Sequence, residues 1–337
     1  MVDVIIIGGG PAGLYSAFYC GLRGLSVQLI EGQHFLGGKL NVYKEKNVWD
    51  VGGLVGQPAK NIIDSLITQA ETFEPEIILG KSVIDIKKED DAFCVQTNDN
   101  AKYYSKAVII GTGTGISIPT KLDSDYPVAY ETTFIFYDMP DVALFRDKVV
   151  MVSGSNAKAI RWAENVSDVA KKVYFIYRKD LQKGSSIDLT SLATNDKVIC
   201  IENKKITKFT SLDEESIHSV ELTHLLDKTS EWLEVDTVLV SHGVKKNNPL
   251  IKETTEFDLE KKTYFKINNQ GETSIEGIFA AGDAAFYDGK LRMIAESFHD
   301  AIKASNSVKK KIDPKATDRG KVSSHHEELK KRKAPIE

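Results

Sequence analysis

The sequence predicts an α/β protein built from two Rossmann-like nucleotide-binding domains, each of three layers (ββα). Three observations carry that expectation. A GxGxxG run follows an apolar strand at the amino terminus and opens a helix. The same strand–helix–strand unit recurs in mid-chain. Each copy is followed by alternating, antiparallel material and then a short apolar strand. With 337 residues and 42% hydrophobic residues, the chain exceeds one ordinary core and suits two domains.

Val2 to Ile7 is a β-branched run closed by glycines, the pattern of a buried parallel strand. Pro11 to Leu22 has helical spacing, and Leu25 to Ile30 reads as a second strand. Asn61 to Phe73 reads as an amphipathic helix. Ser82 to Lys87, Ala92 to Thr97 and Lys102 to Tyr104 alternate like a small antiparallel insertion. Ala107 to Ile110 reads as a separate buried strand ending at Gly111-Thr112-Gly113. Residues 116–137 are irregular, hold Pro119 and Pro127, and mark a new domain. Lys148 to Val152, Ala157 to Val166 and Lys172 to Tyr177 repeat the opening unit. Lys197 to Thr210 and Ser219 to Leu225 read as antiparallel, and Thr237 to Ser241 closes the second domain. Ile278 to Ala281 is a strand and Ile294 to Val308 a helix, before a polar, lysine-rich tail. The domains expected are therefore 1–115 with 247–337, and 116–246.

Gly8, Gly10 and Gly13 form the GxGxxG, with Pro11 and Ala12 inside it. The first glycine permits a tight turn, the second lets a pyrophosphate approach, and the third lets helix and strand pack closely. The amide-rich helix end faces the phosphates. Glu31 ends the next strand, 18 residues after Gly13, where a carboxylate accepts ribose hydroxyls and repels a 2′-phosphate. These features in register point to a nucleotide, and by themselves leave FAD and NAD both open.

Aligned on their first glycines, Gly8 falls on Gly154, Gly10 on Asn156 and Gly13 on Ala159. The second unit thus reads SGSNAKA, and its glycine motif is degenerate. Asn156 is expected to direct its side chain where a pyrophosphate approaches, and Ala157 and Lys158 open the helix. Lys158 either clasps a phosphate or takes its place. Tyr177 stands where Glu31 stands in the first unit, and Arg178 and Lys179 follow it. Cations there favour NADPH over NADH, since a guanidinium grips a phosphate through its planar fork. A solvent-facing basic turn is the plain alternative.

Composition excludes several classes. A net charge of −4 gives no global basic field for nucleic acid. Cys20, Cys94 and Cys200 lie far apart, with no CxxC pair, which suits a cytoplasmic chain with reduced thiols. No basic leader opens the sequence, and no apolar run reaches the roughly 18 residues of a membrane span. His34, His218, His224 and His299 show no metal-like spacing, so no metal is expected. His242, at the end of an apolar strand, reads as structural. Between Lys303 and Lys333 stand 11 Lys or Arg against 4 Asp or Glu.

Through GGGPAG, Glu31, Gly37-Gly38-Lys39, Gly111-Thr112-Gly113 and Gly282-Asp283 the chain resembles the thioredoxin-reductase-like ferredoxin/flavodoxin–NADP⁺ reductases. These belong to the pyridine nucleotide-disulfide oxidoreductase fold. The likeness is closest in residues 1–115 and 275–337. It implies that the outer segments bind FAD, that the central segment binds NADPH, and that the enzyme is a homodimer. Further, it places the FAD pyrophosphate on Gly8 to Gly13 and Glu31 on its ribose. Gly38 and Lys39 lie near the flavin-side phosphates, Gly282-Asp283 at the ribityl–phosphate part, Ile294 and Ala295 at the pyrimidine edge, and Val83 at the adenine, with Gly111 also among the cofactor-binding residues.

Trp49 matches the aromatic position that stacks on the isoalloxazine. The run KVSSHHEEL resembles the segment carrying a histidine over the other flavin face of the partner subunit, with His325 the first choice and His326 the second. The thioredoxin reductases use a CxxC in the central domain, which this sequence lacks. Electrons must therefore leave from the flavin itself. The implied partner is an acidic ferredoxin or flavodoxin, steered by the basic run. The degenerate glycine motif leaves two other readings: a flavoprotein fed by a donor other than NADPH, and a flavin-binding redox sensor or interaction protein. No acid–base catalyst is named, because hydride transfer between nicotinamide and flavin needs none.

Overall fold

The computed structural model describes residues 1–178, 188–211, 216–253, 256–317 and 322–331. Its helices, in chain order, are α1 (Pro11–Leu22), α2 (Ala59–Ala70), α3 (Ala157–Ser167), α4 (Thr190–Ala193), α5 (Pro249–Glu253), α6 (Ile294–Ile312) and α7 (Glu327–Lys331). None of them is long and apolar enough to cross a membrane. The chain divides into two compact units, Met1–Ile116 with Lys246–Glu337, and Ser117–Lys245.

In the first unit a sheet runs in the order Glu76–Leu79, Val27–Glu31, Val2–Ile7, Lys102–Ile110, Ala92–Thr97, Val83–Glu89, with Ile278–Ala280 also on Lys102–Ile110. The pairs around Val2–Ile7 are parallel and the last two are antiparallel. Side-chain alternation makes the layers. Val4 and Ile6 face the helices and pack with Leu14, Ala17 and Cys20 of α1 and Ala304 of α6. Ile5 and Ile7 face the other way, onto Ile86, Phe93 and Val95 of the antiparallel part. Helices, parallel sheet and antiparallel meander are the three layers expected.

One expectation is corrected here. Lys102–Tyr104 and Ala107–Ile110 are one strand, Lys102–Ile110, whose first half pairs with the meander and whose second half pairs with Ile278–Ala280. Ser105 and Lys106 look like a break in the sequence but carry the strand across. The Ser105 hydroxyl donates to the Ala107 carbonyl at 2.8 Å, and Lys106 reaches Asp3 at 2.8 Å. Helix α6 also runs four residues beyond Val308, its last turn carrying Lys309, Lys310 and Lys311 at the negative end of the helix dipole.

The second unit holds a five-stranded parallel sheet in the order Ile135–Phe136, Thr237–Ser241, Val149–Gly154, Lys172–Tyr177, Val198–Glu202. A three-stranded antiparallel sheet, Lys204–Thr210, Ser219–His224 and Ser230–Glu234, accompanies it. The expected antiparallel run from Lys197 is thus split. Val198–Glu202 joins Lys172–Tyr177 in parallel, and the chain reverses at Asn203, whose φ is 58°. Likewise Ile135–Phe136, inside the stretch read as irregular, is an edge strand of the parallel sheet. Helix α3 buries Ala159, Trp162, Ala163 and Val166, an i, i+3, i+4, i+7 stripe, on this sheet.

Candidate functional sites

The first site lies at the carboxyl edge of the first unit's parallel strands, where open α/β sheets bind ligands. Gly8 turns with φ 103°, and a Cβ there would meet the Gly111 carbonyl oxygen at 2.6 Å. A Cβ on Gly13 would stand 1.8 Å from the Gly8 carbonyl oxygen, so α1 packs on the turn only through glycine. Gly10 differs. The nearest atom to its Cβ would be the Gly38 Cα at 3.8 Å, so its bare face looks into open space. Gly10 is also the N-cap of α1 and has no side chain to cap it, while Pro11 starts the helix. Helix-end amides thus face a cradle that a side chain on Gly10 would fill. That geometry fits a pyrophosphate.

Glu31 closes the cradle on one side. Its carboxylate accepts the Gly9 amide at 2.6 Å and the Gln33 amide at 2.7 Å. Burial raises its pKa above the usual carboxylate range, and the amides of Gly9, Gln33 and Gly32 counter part of that rise. The Lys81 amide bonds the Glu31 carbonyl at 3.0 Å, and the next strand starts at buried Val83. On the other side Gly38, at φ 54°, touches Gly10, and the Lys39 ammonium stands 3.8 Å from the Asp283 carboxylate. Gly282 packs between Ala12 and Ser297, joining the starts of α1 and α6. Ile294 and Ala295 are the first residues of α6, which has no side-chain cap. Gly8, Gly10, Glu31, Gly38 and Gly111 are thus brought together around the start of α1, and Gly282 joins the start of α6 to it.

Trp49 is 70% exposed and rests by one side on Gly56. His325 is exposed, whereas His326 is buried edge-on against Phe73 at 5.3 Å between centroids. Phe73 packs with Phe18 and Leu22, at the carboxyl end of α1. The glycine turn is at the other end of that helix, which at 12 residues is about 18 Å long. Neither histidine is therefore close to the pyrophosphate turn of its own chain.

In the second site the Asn156 side chain stands at the amide end of α3, where a phosphate would approach. It caps α3, accepting the Ala159 amide at 3.0 Å and the Ser241 hydroxyl at 3.1 Å, and donating to the Ser241 carbonyl at 2.7 Å. A short polar side chain at an N-cap finds its best partners on the helix itself. Lys158 neither clasps nor replaces a phosphate in this arrangement. Its ammonium pairs with Asp138 at 3.0 Å and lies over the Trp162 ring at 4.4 Å. Ala157 remains exposed at the helix start. Gly154 is needed for space, because a Cβ would meet the Ser241 carbonyl oxygen at 2.6 Å. Ser155 clasps Arg178, accepting its amide at 2.9 Å, much as Glu31 clasps Gly9. Lys179 lies outside the described residues.

His242, beside Ser153 at 2.9 Å, holds the floor of this site. Burial first, and the Arg178 charge second, keep its pKa below the ordinary value. The imidazole is thus easier to protonate in the unfolded chain. Its contribution to stability is complete above the ordinary histidine pKa of about 6.5 and is lost as pH falls below it. Thermal melts between pH 8 and pH 5.5 are expected to show this acid-side loss, and His242→Gln to reduce it. An unchanged pH slope in the variant would remove His242 as its source.

Several residues escaped sequence reasoning. Lys246 has its pKa lowered by burial and by Lys39. Asn248 reaches the Thr112 hydroxyl at 3.2 Å, tying the returning chain to the glycine turn. Asp300 and Lys290 form a buried pair behind Gly282. An acid on the buried stripe of α6, with Ser297, Ala301 and Ala304, was the available signal for the last.

Comparison with known proteins shows the family and the fold. The pattern of the pyridine nucleotide-disulphide oxidoreductases matches residues 2–305. Ferredoxin–NADP reductase 1 of Lysinibacillus sphaericus is 41% identical over 98% of this chain and 96% of its own. Ferredoxin–NADP reductase 1 of Bacillus mycoides is 40% identical over the same shares. Among solved structures, thioredoxin reductase of Lactococcus lactis superposes with a TM-score of 0.65 at 21% identity, covering 93% of this chain and 99% of that one. That last likeness concerns the fold alone. The chain belongs to the pyridine nucleotide-disulphide oxidoreductase family.

Proposed function

We propose that this protein is a ferredoxin–NADP reductase, an FAD-dependent oxidoreductase moving electrons between NADPH and a ferredoxin or flavodoxin. The observation that carries the reading is the 40–41% identity to proteins of that name over 96% of their length. The two nucleotide folds and the groove around Gly10 support it. Bound FAD supplies the step from a two-electron hydride to single electrons, which a nicotinamide alone does not provide. The chain's own residues do the rest. The start of α1 holds the pyrophosphate, Glu31 the ribose hydroxyls, and Lys39 with Asp283 the flavin-side phosphate and ribityl chain. Gly111 leaves the turn room, Val83 offers its backbone to the adenine, and the first amides of α6, at Ile294 and Ala295, meet the ring's pyrimidine edge. Trp49 covers one ring face.

In the second unit Gly154, Ala157 and the first amides of α3 receive NADPH, and Arg178, with Lys179, reads the 2′-phosphate. The other ring face is covered by His325 of a second copy in a homodimer. His326 anchors on Phe73, about a helix length from its own chain's glycine turn, which supports a contribution in trans. The sequence has no CxxC, so no enzyme dithiol relays the electrons. Cys20 and Cys94 are buried and unpaired, which supports a cytoplasmic setting.

One observation favours a second reading. Asn156 spends the Ala159 amide of α3 on its own cap, leaving less for a phosphate, as in a flavoprotein reduced by a protein donor. Steady-state turnover with NADPH and purified ferredoxin decides between them. Saturable ferredoxin reduction supports the reductase. Turnover from reduced ferredoxin to an artificial acceptor, with none from NADPH, supports the alternative.

A further inference from the structure

Behind the Gly282–Asp283 turn lies a charged cluster that no step above uses. The Asp300 side chain is 1% exposed and that of Lys290 is 2% exposed, and the two form an ion pair. Asp300 Oδ2 also accepts the Gly282 amide at 3.0 Å, and Oδ1 accepts the Tyr287 hydroxyl at 3.0 Å. That hydroxyl also bonds Glu296. Asp300 stands in the second turn of α6, past the helix start, so it does not serve as a cap. The partners of its carboxylate, the Gly282 amide, the Tyr287 hydroxyl and the Lys290 ammonium, lie instead on the loop from Gly282 to Lys290.

The geometry of Gly282 makes that bond consequential. Its φ is 68°, and a Cβ would stand 2.7 Å from the Ala12 Cβ in the first turn of α1. A glycine so placed has wide backbone freedom, and its amide needs a fixed acceptor to hold one conformation. A buried ion pair is costly to desolvate, and an apolar pair of similar size often serves stability as well. Its retention beside a ligand loop therefore calls for a geometric role.

We propose that Asp300, held in place by Lys290, is a positioning residue: it fixes the Gly282 amide and so aims Asp283 at the flavin nucleotide. This rests on the reading of the Gly10 groove as the FAD site. Lys290 neutralises Asp300, and Tyr287 shares its one proton between the second oxygen and Glu296, so Asp283 remains the acid directed to the ligand.

The test compares two double variants that both remove the charges. Asp300→Asn with Lys290→Met keeps an oxygen acceptor for the Gly282 amide. Asp300→Leu with Lys290→Met removes it. FAD binding to apoprotein is measured by flavin fluorescence quenching, with the bound flavin's visible spectrum as a second readout and circular dichroism as the check on folding. The asparagine variant is expected to bind within about threefold of wild type, with an unchanged spectrum. The leucine variant is expected to lose about tenfold or more, one charged hydrogen bond's worth, with an altered spectrum. Equal affinities and spectra in all three proteins would overturn the proposal while leaving the FAD site standing. Should the leucine variant fail to fold, Asp300→Ala with Lys290→Met takes its place as the variant without an acceptor: a loss of about tenfold upholds the proposal, and binding equal to the asparagine variant overturns it. Failure of wild-type apoprotein to bind FAD would overturn the site reading itself.

Discussion

Apoprotein carrying Gly10→Ala is expected to melt like wild type yet bind FAD about 100-fold more weakly. The two halves of that result have separate causes. At Gly10 φ is −80°, open to any L-residue, and the added methyl would meet only the Gly38 Cα at 3.8 Å, an ordinary contact. The folded protein therefore has room for it. The pyrophosphate does not, because the methyl fills the face where helix-end amides reach the phosphate. Losing charged hydrogen bonds worth about 1.5–3 kcal/mol each gives a loss of that order. Gly13→Ala is the contrasting control. Its methyl would stand 1.8 Å from the Gly8 carbonyl oxygen, so the fold itself should lose about 3 kcal/mol, the upper range for overpacking. Urea melts and FAD titration of both variants check this. Parallel losses of stability and affinity in Gly10→Ala would mean that the glycine serves packing and not the ligand.

Arg178→Ala is expected to weaken NADPH binding about 10- to 100-fold and to leave NADH binding within about threefold. The Ser155 clasp fixes the Arg178 backbone beside the start of α3, and the Arg178 charge is felt at His242 on the site's floor. A guanidinium at this position would distinguish the two nucleotides only through the 2′-phosphate. Isothermal titration with both nucleotides checks it. An equal loss for both would move Arg178 from selecting the phosphate to shaping the site.

Much of this was legible in the sequence because each signal was local. Three glycines after a β-branched strand, an acid at the end of the next strand, and an apolar strand before Gly111 each encode one backbone requirement. The parallel strands Lys172–Tyr177 and Thr237–Ser241 were legible from continuous apolar runs, since both faces are covered. What was not legible depended on partners distant in the chain. Lys106 looks like a strand break until it meets Asp3, and Val198–Glu202 looks like its antiparallel neighbours until it pairs in parallel with Lys172–Tyr177. Asn156 was read for its bulk, but not for the Ala159 amide and Ser241, 85 residues away, that hold that bulk at the helix end. Lys158 was read for its charge, which Asp138 and Trp162 hold along the helix surface. The Asp300–Lys290 pair was concealed for the same reason: one acid on an otherwise small and apolar stripe gives no hint of its loop partners.

The central claim, that NADPH reduces a flavin bound in the first unit, is tested most directly by anaerobic stopped-flow mixing of the FAD-loaded protein with NADPH and, separately, with NADH, followed at the flavin's visible absorbance. Fast, saturable bleaching by NADPH, with NADH far slower at equal concentration, is the expected result. A flavin that dithionite bleaches and neither nucleotide does would contradict it, and would move the electron donor to a protein or another reductant.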